Sequence, residues 1–371
     1  MKYTYIALNL LLFSLLLQNN LIVYAKSPIY SEVAQLFEIP ESKFQKIADN
    51  EKPLTEGYNR LIPLLDKSSF CGSYLDLNGI QIIVYVVDTS KKQIITDNKE
   101  MKPYLKFLSF KQVKNSLEKL DSNVDELTKL AKQYKATNIA INKECEKNNI
   151  AISLNKNFRK LNKAFIEKAK ELDPTPIIIE YDDEPKSHKP NPHNPSTLES
   201  RDIKTEILGG IGLTDAKVTG ETERTYYLTY LVTSGDCGRK KRKNTTEPVD
   251  FYYVPWNEFN FDLPEGYIIG PMIQVFIGLR VCISGFRAGF TCGFIKDNNV
   301  VAFIDGVRYD NMIITDLIGN FGDVGAPIFS VPNLLTFVFG PPRVYLVGMA
   351  LAVATKGYNI VTPMHKVLKE D

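Results

Sequence analysis

The chain has 371 residues, 44% of them hydrophobic and 11% aromatic, enough to bury the cores of two or three domains and to exclude wholesale disorder. Its 45 Lys and Arg against 43 Asp and Glu leave a formal net charge of +2, which supplies no basic surface for a nucleic-acid partner. Three His and five Cys at unsuitable spacings do not make a Cys/His zinc module, so neither a metal nor a cofactor is expected.

In chain order, Lys2 precedes an apolar run from residue 6 to 17, and Val23-Tyr24-Ala25 follows with small or branched residues at the cleavage positions. Residues 1–25 therefore read as a secretory signal peptide. The run of about 12 residues is short of the roughly 20 needed to span hydrocarbon. After cleavage no membrane contact is expected, and the mature protein belongs outside the cell, where disulfides persist.

Residues 26–67 are mixed in character, with helical periodicity around 31–37 and little chemistry. Residues 73–87 give a strand, an Asn78-Gly79 turn and a second strand. Over residues 110–134, Val113, Leu117, Leu120, Val124, Leu127 and Leu130 recur at three- and four-residue steps, the spacing of an amphipathic helix. A strand at 150–154, a helix at 158–172 and a strand at 176–181 complete a ββαβαβ order, which suits one small α/β unit over about 70–181.

Residues 182–202 carry Pro185, Pro190, Pro192 and Pro195, two of the three His (His188 and His193) and almost no large apolar side chain. This is an exposed linker rather than a metal site. Over 203–371, short β-rich runs at 226–233, 251–254, 273–277, 300–304, 312–318, 335–339, 344–353 and 358–361 alternate with glycine-bearing turns, the pattern of an all-β sandwich or barrel. Thr362 is placed to cap a terminal helix over 363–370 that carries His365. The basic run Arg239-Lys240-Lys241-Arg242-Lys243 adjoins Asn244-Thr245-Thr246, a glycosylation triplet, and marks an exposed loop.

Within this β region, Gly322-Asp323-Val324-Gly325-Ala326-Pro327 resembles the Gly-Asp-Ser-Gly-[Gly/Ala/Ser]-Pro loop of chymotrypsin-fold serine proteases, with valine where the nucleophilic serine belongs. Upstream, Tyr227 to Cys237 is similar to the strand ending in Leu-Thr-Ala-Gly-His-Cys, with Asp236 where the general-base histidine belongs. Val281-Cys282-Ile283-Ser284-Gly285 and Gly289-Phe290-Thr291-Cys292-Gly293 resemble the disulfide-closed hairpin of the alpha-lytic protease and streptogrisin branch. Ile207-Leu208-Gly209-Gly210 looks like the start of such a mature chain, and Cys71-Gly72-Ser73-Tyr74-Leu75-Asp76 looks like a motif of the pro-region before it.

The resemblance implies a signal peptide (1–25), an α/β pro-region (26–181), a Pro-rich linker (182–202) and a chymotrypsin-like double β-barrel with a C-terminal helix (203–371). It also implies a Cys282–Cys292 disulfide, worth about 2–3 kcal/mol by loop-closure arithmetic, and an intramolecular contact between pro-region and barrel. Cys71 and Cys145 both fall in the pro-region and can pair; Cys237 is left over. No cysteine lies between Ile207 and Asp236 to partner Cys237, and Asp262 is the one tolerable candidate for the third triad position, so the first barrel reads as a strand short.

Acyl transfer on this scaffold needs a hydroxyl to attack, an imidazole to carry its proton, a carboxylate to orient the imidazole and two backbone donors for the oxyanion. Val324 has no lone pair, and an exposed Asp236 is ionised near neutral pH. The Gly322 and Val324 N–H groups are left as oxyanion donors. The expectation is a secreted, catalytically inactive protease homologue whose cleft holds an extended peptide or protein. The alternatives are an active endopeptidase with a rearranged site and a structural secreted protein without a ligand.

Overall fold

In the computed structural model the described residues are 28–181, 213–214, 230–231, 267–271, 274–285, 289–319, 324–331, 333–335, 343–352 and 359–367. The expected signal peptide, the linker and nearly all of the expected first barrel lie outside them. In that stretch a two-stranded pair, β7 (Leu213–Thr214) and β8 (Tyr230–Leu231), is described.

Residues 28–64 are more ordered than their mixed composition suggests. Helix α1 (Pro28–Leu36) leads into α2 (Glu41–Leu61), whose buried stripe runs Phe44, Ile47, Ala48, Glu51, Leu54, Tyr58 and Leu61. These positions recur at three- and four-residue steps on one helical face, and Glu51 is a charge within that apolar stripe. Pro53 lies inside the same helix.

Strands β1 (Phe70–Asp76) and β2 (Gln81–Val86) form the anticipated hairpin around Asn78-Gly79, and β3 (Leu108–Gln112) joins β2 in parallel. A short α3 (Lys92–Thr96) lies between β2 and β3. Of the amphipathic stretch expected over 110–134, the start is strand, because β3 runs through Gln112, and the helix is α4 (Leu117–Gln133). Ser116 caps α4, its hydroxyl accepting from the Lys119 N–H at 3.2 Å. Next come β4 (Ile139–Glu144), β5 (Asn149–Asn155), α5 (Lys163–Ala169) and β6 (Ile177–Tyr181). The expected ββαβαβ unit therefore has two further strands, β3 and β4, and its strands fall into two separate sheets.

The C-terminal half contributes β9 (Tyr267–Pro271), β10 (Arg280–Gly285), β11 (Gly289–Ile304), β12 (Val307–Thr315), β13 (Pro327–Ser330), β14 (Arg343–Ala352), β15 (Asn359–Pro363) and a short α6 (Met364–Val367). Their hydrogen-bonded order is β10-β13-β14-β15-β12-β11, and β10 also pairs with β11, so these strands close on themselves. Every pairing in the ring is antiparallel. Closure removes the unpaired strand edges that an open sheet would carry. Residues 274–277 are not strand, and Pro363 ends β15 rather than opening the terminal helix. Of the run expected as a strand over 335–339, Leu335 is described and is not extended.

Alternation along the strands sorts their side chains to the two faces. Val281, Ile283, Ile295, Ile313, Ile328, Val347 and Val361 fill the barrel core, and that core is continuous with Leu54, Tyr58, Phe70, Leu75, Ile82 and Val84 of the N-terminal half. On the outer wall, Cys282, Phe329, Val331 and Val344 pack with Val33, Phe37, Phe44, Ile47 and Ala48 of α1, α2 and their connection. A third junction is a strand pairing: β4 binds the far end of β11, Ile139, Ala140 and Ile141 opposing Phe303, Ala302 and Val301. The β4–β5–β6 layer and the barrel thus share one continuous ten-stranded sheet.

Gly278 shows how tightly the halves fit. Its φ of +91° is a left-handed conformation, and a Cβ there would stand 2.1 Å from the Leu75 carbonyl oxygen. The Leu75 N–H donates to the Ile277 carbonyl at 3.1 Å, fixing β1 against this turn. Gly278→Ala is expected to lower stability by about 2 kcal/mol from backbone strain and overpacking, read as a fall in the urea midpoint at unchanged slope.

Candidate functional site

The turn that enters β13 carries the position where the resemblance places a nucleophile. Gly325 adopts φ +90°, a conformation that glycine reaches without steric cost. Its N–H donates to the Ala350 carbonyl at 2.8 Å, while the Ala350 N–H donates to the Ala326 carbonyl at 3.0 Å. This reciprocal pair clamps the turn onto β14. Ala326 is fully buried beneath it, and Val324 is half-buried. A rigid turn therefore presents a branched hydrocarbon, which can neither attack a carbonyl nor accept a proton.

Gly322, Asp236, Asp262, Asn244 and Cys237 lie outside the described residues, as do His188 and His193. The remaining histidine, His365, is exposed on α6. Ser330, the nearest following hydroxyl on β13, is fully buried, and its Oγ donates to the Arg280 carbonyl at 3.0 Å. It acts as a structural donor to the neighbouring strand. No cluster of metal-ligating side chains occurs among the described residues.

Both cysteine pairs are joined. Cys282 and Cys292 are direct cross-strand partners on β10 and β11, with Cα atoms 4.0 Å apart, as the hairpin resemblance implies. Cys71 on β1 is bonded to Cys145, just beyond β4, with Cα atoms 5.6 Å apart. The second bridge ties the small β1–β3 sheet to the ten-stranded one.

The most heavily constrained charged group in the described residues was not anticipated from the sequence. Arg280, 2% exposed, forms a buried ion pair with Glu51 through Nη1, and its Nη2 donates to Asn78 Oδ1 at 3.2 Å. The guanidinium lies 5.1 Å from the centre of the Phe37 ring and 5.8 Å from that of Phe294. The other carboxylate oxygen of Glu51 accepts the Leu334 N–H at 2.8 Å. Burial pushes the Glu51 carboxyl up from the usual range, against the downward pull of Arg280 and of the Leu334 N–H. The sequence did carry a clue, since Glu51 occupies the apolar stripe of α2 at the i+3 and i+4 steps.

A second buried carboxylate lies where β11 meets β4. Asp297 accepts the Lys143 N–H at 2.9 Å, the Asn298 N–H at 2.7 Å and the Asn299 N–H at 3.1 Å. Desolvation raises its pKa despite the nearby Lys143 charge and these donors. Tyr58 makes a neutral contact across the halves: its hydroxyl donates to the Ser73 carbonyl at 3.2 Å, and its ring meets Phe276 edge-on at 5.3 Å. A cleft of about 340 Å³ opens between α2 and the barrel, where Leu77, Phe276, Leu279 and Val331 meet the polar side chains of Lys52, Thr55, Glu56 and Asn333. Glu51 and Arg280 border this cleft, whereas Val324 does not.

No protein-family model matches the chain, and no curated protein matches it. Among solved structures, the Nocardiopsis protease NAPase overlaps at 19% identity and a TM-score of 0.23, over 28% of this chain and 51% of that one. A Cellulomonas bogoriensis chymotrypsin gives 19% identity and 0.23 over 28% and 52%, and Thermobifida fusca protease A gives 20% and 0.23 over the same shares. The chain thus spans about half the length of these structures. Overlaps this slight carry no argument about fold or activity.

Proposed function

We propose that the chain is a secreted relative of chymotrypsin-fold serine proteases that has lost its catalytic apparatus and acts by holding an extended peptide. The observation that carries this reading is Val324 itself, set on a clamped, positive-φ turn at the entry to β13, where the Gly-Asp-Ser-Gly-type motif would place the nucleophile. Three further features support it. The strands from β10 to β15 close into an antiparallel barrel, one half of the double barrel the resemblance implies. The Cys282–Cys292 bridge lies on the expected hairpin. Two disulfides suit the oxidising compartment that a signal peptide at residues 1–25 would reach.

Loss of nucleophile and base together removes about 10⁶ in turnover, roughly 8 kcal/mol of barrier. The binding half of the apparatus does not depend on those side chains. Backbone groups of a sheet edge recognise an extended partner by adding it as a strand, whether or not a bond is subsequently broken.

Peptide hydrolysis by the unmodified chain, by Val324→Ser and by Val324→Ser/Asp236→His tests the reading. The unmodified chain and the single variant are expected at background. The double variant is expected on the order of 10²-fold or more above them, the contribution of a positioned general base. Turnover by the unmodified chain that a serine-reactive phosphonate abolishes would overturn the proposal.

A further inference from the structure

We infer that residues 28–181 are a permanent partner of the barrel and remain bound after the chain is cut between them. Their contacts with the barrel are those of one folded unit rather than of two bodies in passing contact. The Arg280 guanidinium is held by Glu51, Asn78 and Phe37, all from the N-terminal half, and Phe294 of the barrel is a further ring neighbour. Glu51 in turn takes the Leu334 N–H of the barrel. Separation would leave each partner without the groups that satisfy it, and breaking a buried, hydrogen-bonded ion pair is among the costlier single changes a protein undergoes.

Two other junctions act in the same direction through different physics. At Gly278 the backbones are so close that no Cβ fits before the Leu75 carbonyl, a separation typical of a core and not of a dissociable surface. At β11, backbone pairing with β4 and the Lys143 N–H to Asp297 bond carry the hydrogen-bonding pattern of a single sheet across the boundary. One half of the barrel disulfide is also covered: Cys282 is fully buried in the cluster formed with Phe37, Phe44 and Ile47. The N-terminal half is thereby part of the barrel's wall, and its removal is not a step by which the cleft is opened. This inference concerns assembly and holds whether the cleft is silent, active or empty.

The test uses the full chain carrying a recognition sequence for a site-specific endopeptidase between residues 182 and 202. The folded protein is cut, then analysed by size-exclusion chromatography at micromolar concentration and by dithiothreitol reduction followed by alkylation and mass spectrometry. The two fragments are expected to co-elute, with Cys282–Cys292 reduced no faster than in the uncut protein. In the cut protein, Arg280→Ala is expected to weaken association about a hundred-fold or more. Two separate soluble fragments from the cut wild-type chain would overturn the inference, as would reduction of Cys282–Cys292 at a rate that rises on cutting. A dissociation constant, titrated by dilution of the cut complex, that Arg280→Ala leaves unchanged would remove the ion pair from its proposed role.

Discussion

Glu51→Ala is expected to destabilise the protein by about 3–5 kcal/mol, measured by urea unfolding against the unmodified chain. The substitution leaves Arg280 charged, 2% exposed and without its counter-ion, and leaves the Leu334 N–H without an acceptor. Its cost is mainly that of a stranded buried charge, so it exceeds what the pair contributes as a pair. Replacing both members with apolar side chains of similar volume, as in Glu51→Leu/Arg280→Met, should cost far less, because nothing charged then remains buried. A double variant as unstable as Glu51→Ala would show that the loss came from packing alone. The predicted inequality between single and double variants is what separates the two causes.

Removing the Cys71–Cys145 bridge should cost a similar amount for an unrelated reason. The two residues are 74 apart in sequence, and releasing a loop of that size restores about 4.5 kcal/mol of conformational entropy to the unfolded chain. Cys71→Ser/Cys145→Ser is expected to lower the unfolding midpoint accordingly, whereas the Cys282 and Cys292 pair, 10 apart, should yield only about 2–3 kcal/mol. The ordering of the two variants is the measurable point. A larger loss from the short loop would contradict the chain-entropy account here.

What the sequence disclosed, and what it hid, follows from the range of the interactions involved. The β1–β2 hairpin was legible because Asn78-Gly79 is a local turn chemistry. Cys282–Cys292 was legible because both cysteines lie on one hairpin whose flanking residues resemble a known pattern. Helix α2 was obscured by Pro53 and by the polar run Asp49-Asn50-Glu51-Lys52, which compete locally with the apolar stripe that actually decides its fate. The role of Glu51 was illegible in a stronger sense, since its partner lies 229 residues away and only tertiary packing brings them together. The division of 110–134 into β3 and α4 has the same origin: Leu108 to Gln112 are extended because β2 is available to pair with them, and helical spacing alone does not reveal that neighbour.

At the candidate site, the valine in the motif-like loop was legible in the sequence, and the structure adds the clamped turn that follows it. Ser330 shows the converse. Its hydroxyl lies six residues beyond Val324 in sequence, and only the folded structure reveals that it is fully buried and bonded to the Arg280 carbonyl.

The pairing of β4 with the tip of β11 bears on what happens when the protein is made. Val301 and Phe303 face the α/β core while Val300 and Ala302 face the opposite side, so without β4 this stretch would be a bare, apolar ladder of unsatisfied amide groups on a projecting ribbon. A truncated gene product beginning after the linker would offer that ribbon to identical ribbons on its neighbours, and inclusion bodies, not a working minimal domain, are its natural fate.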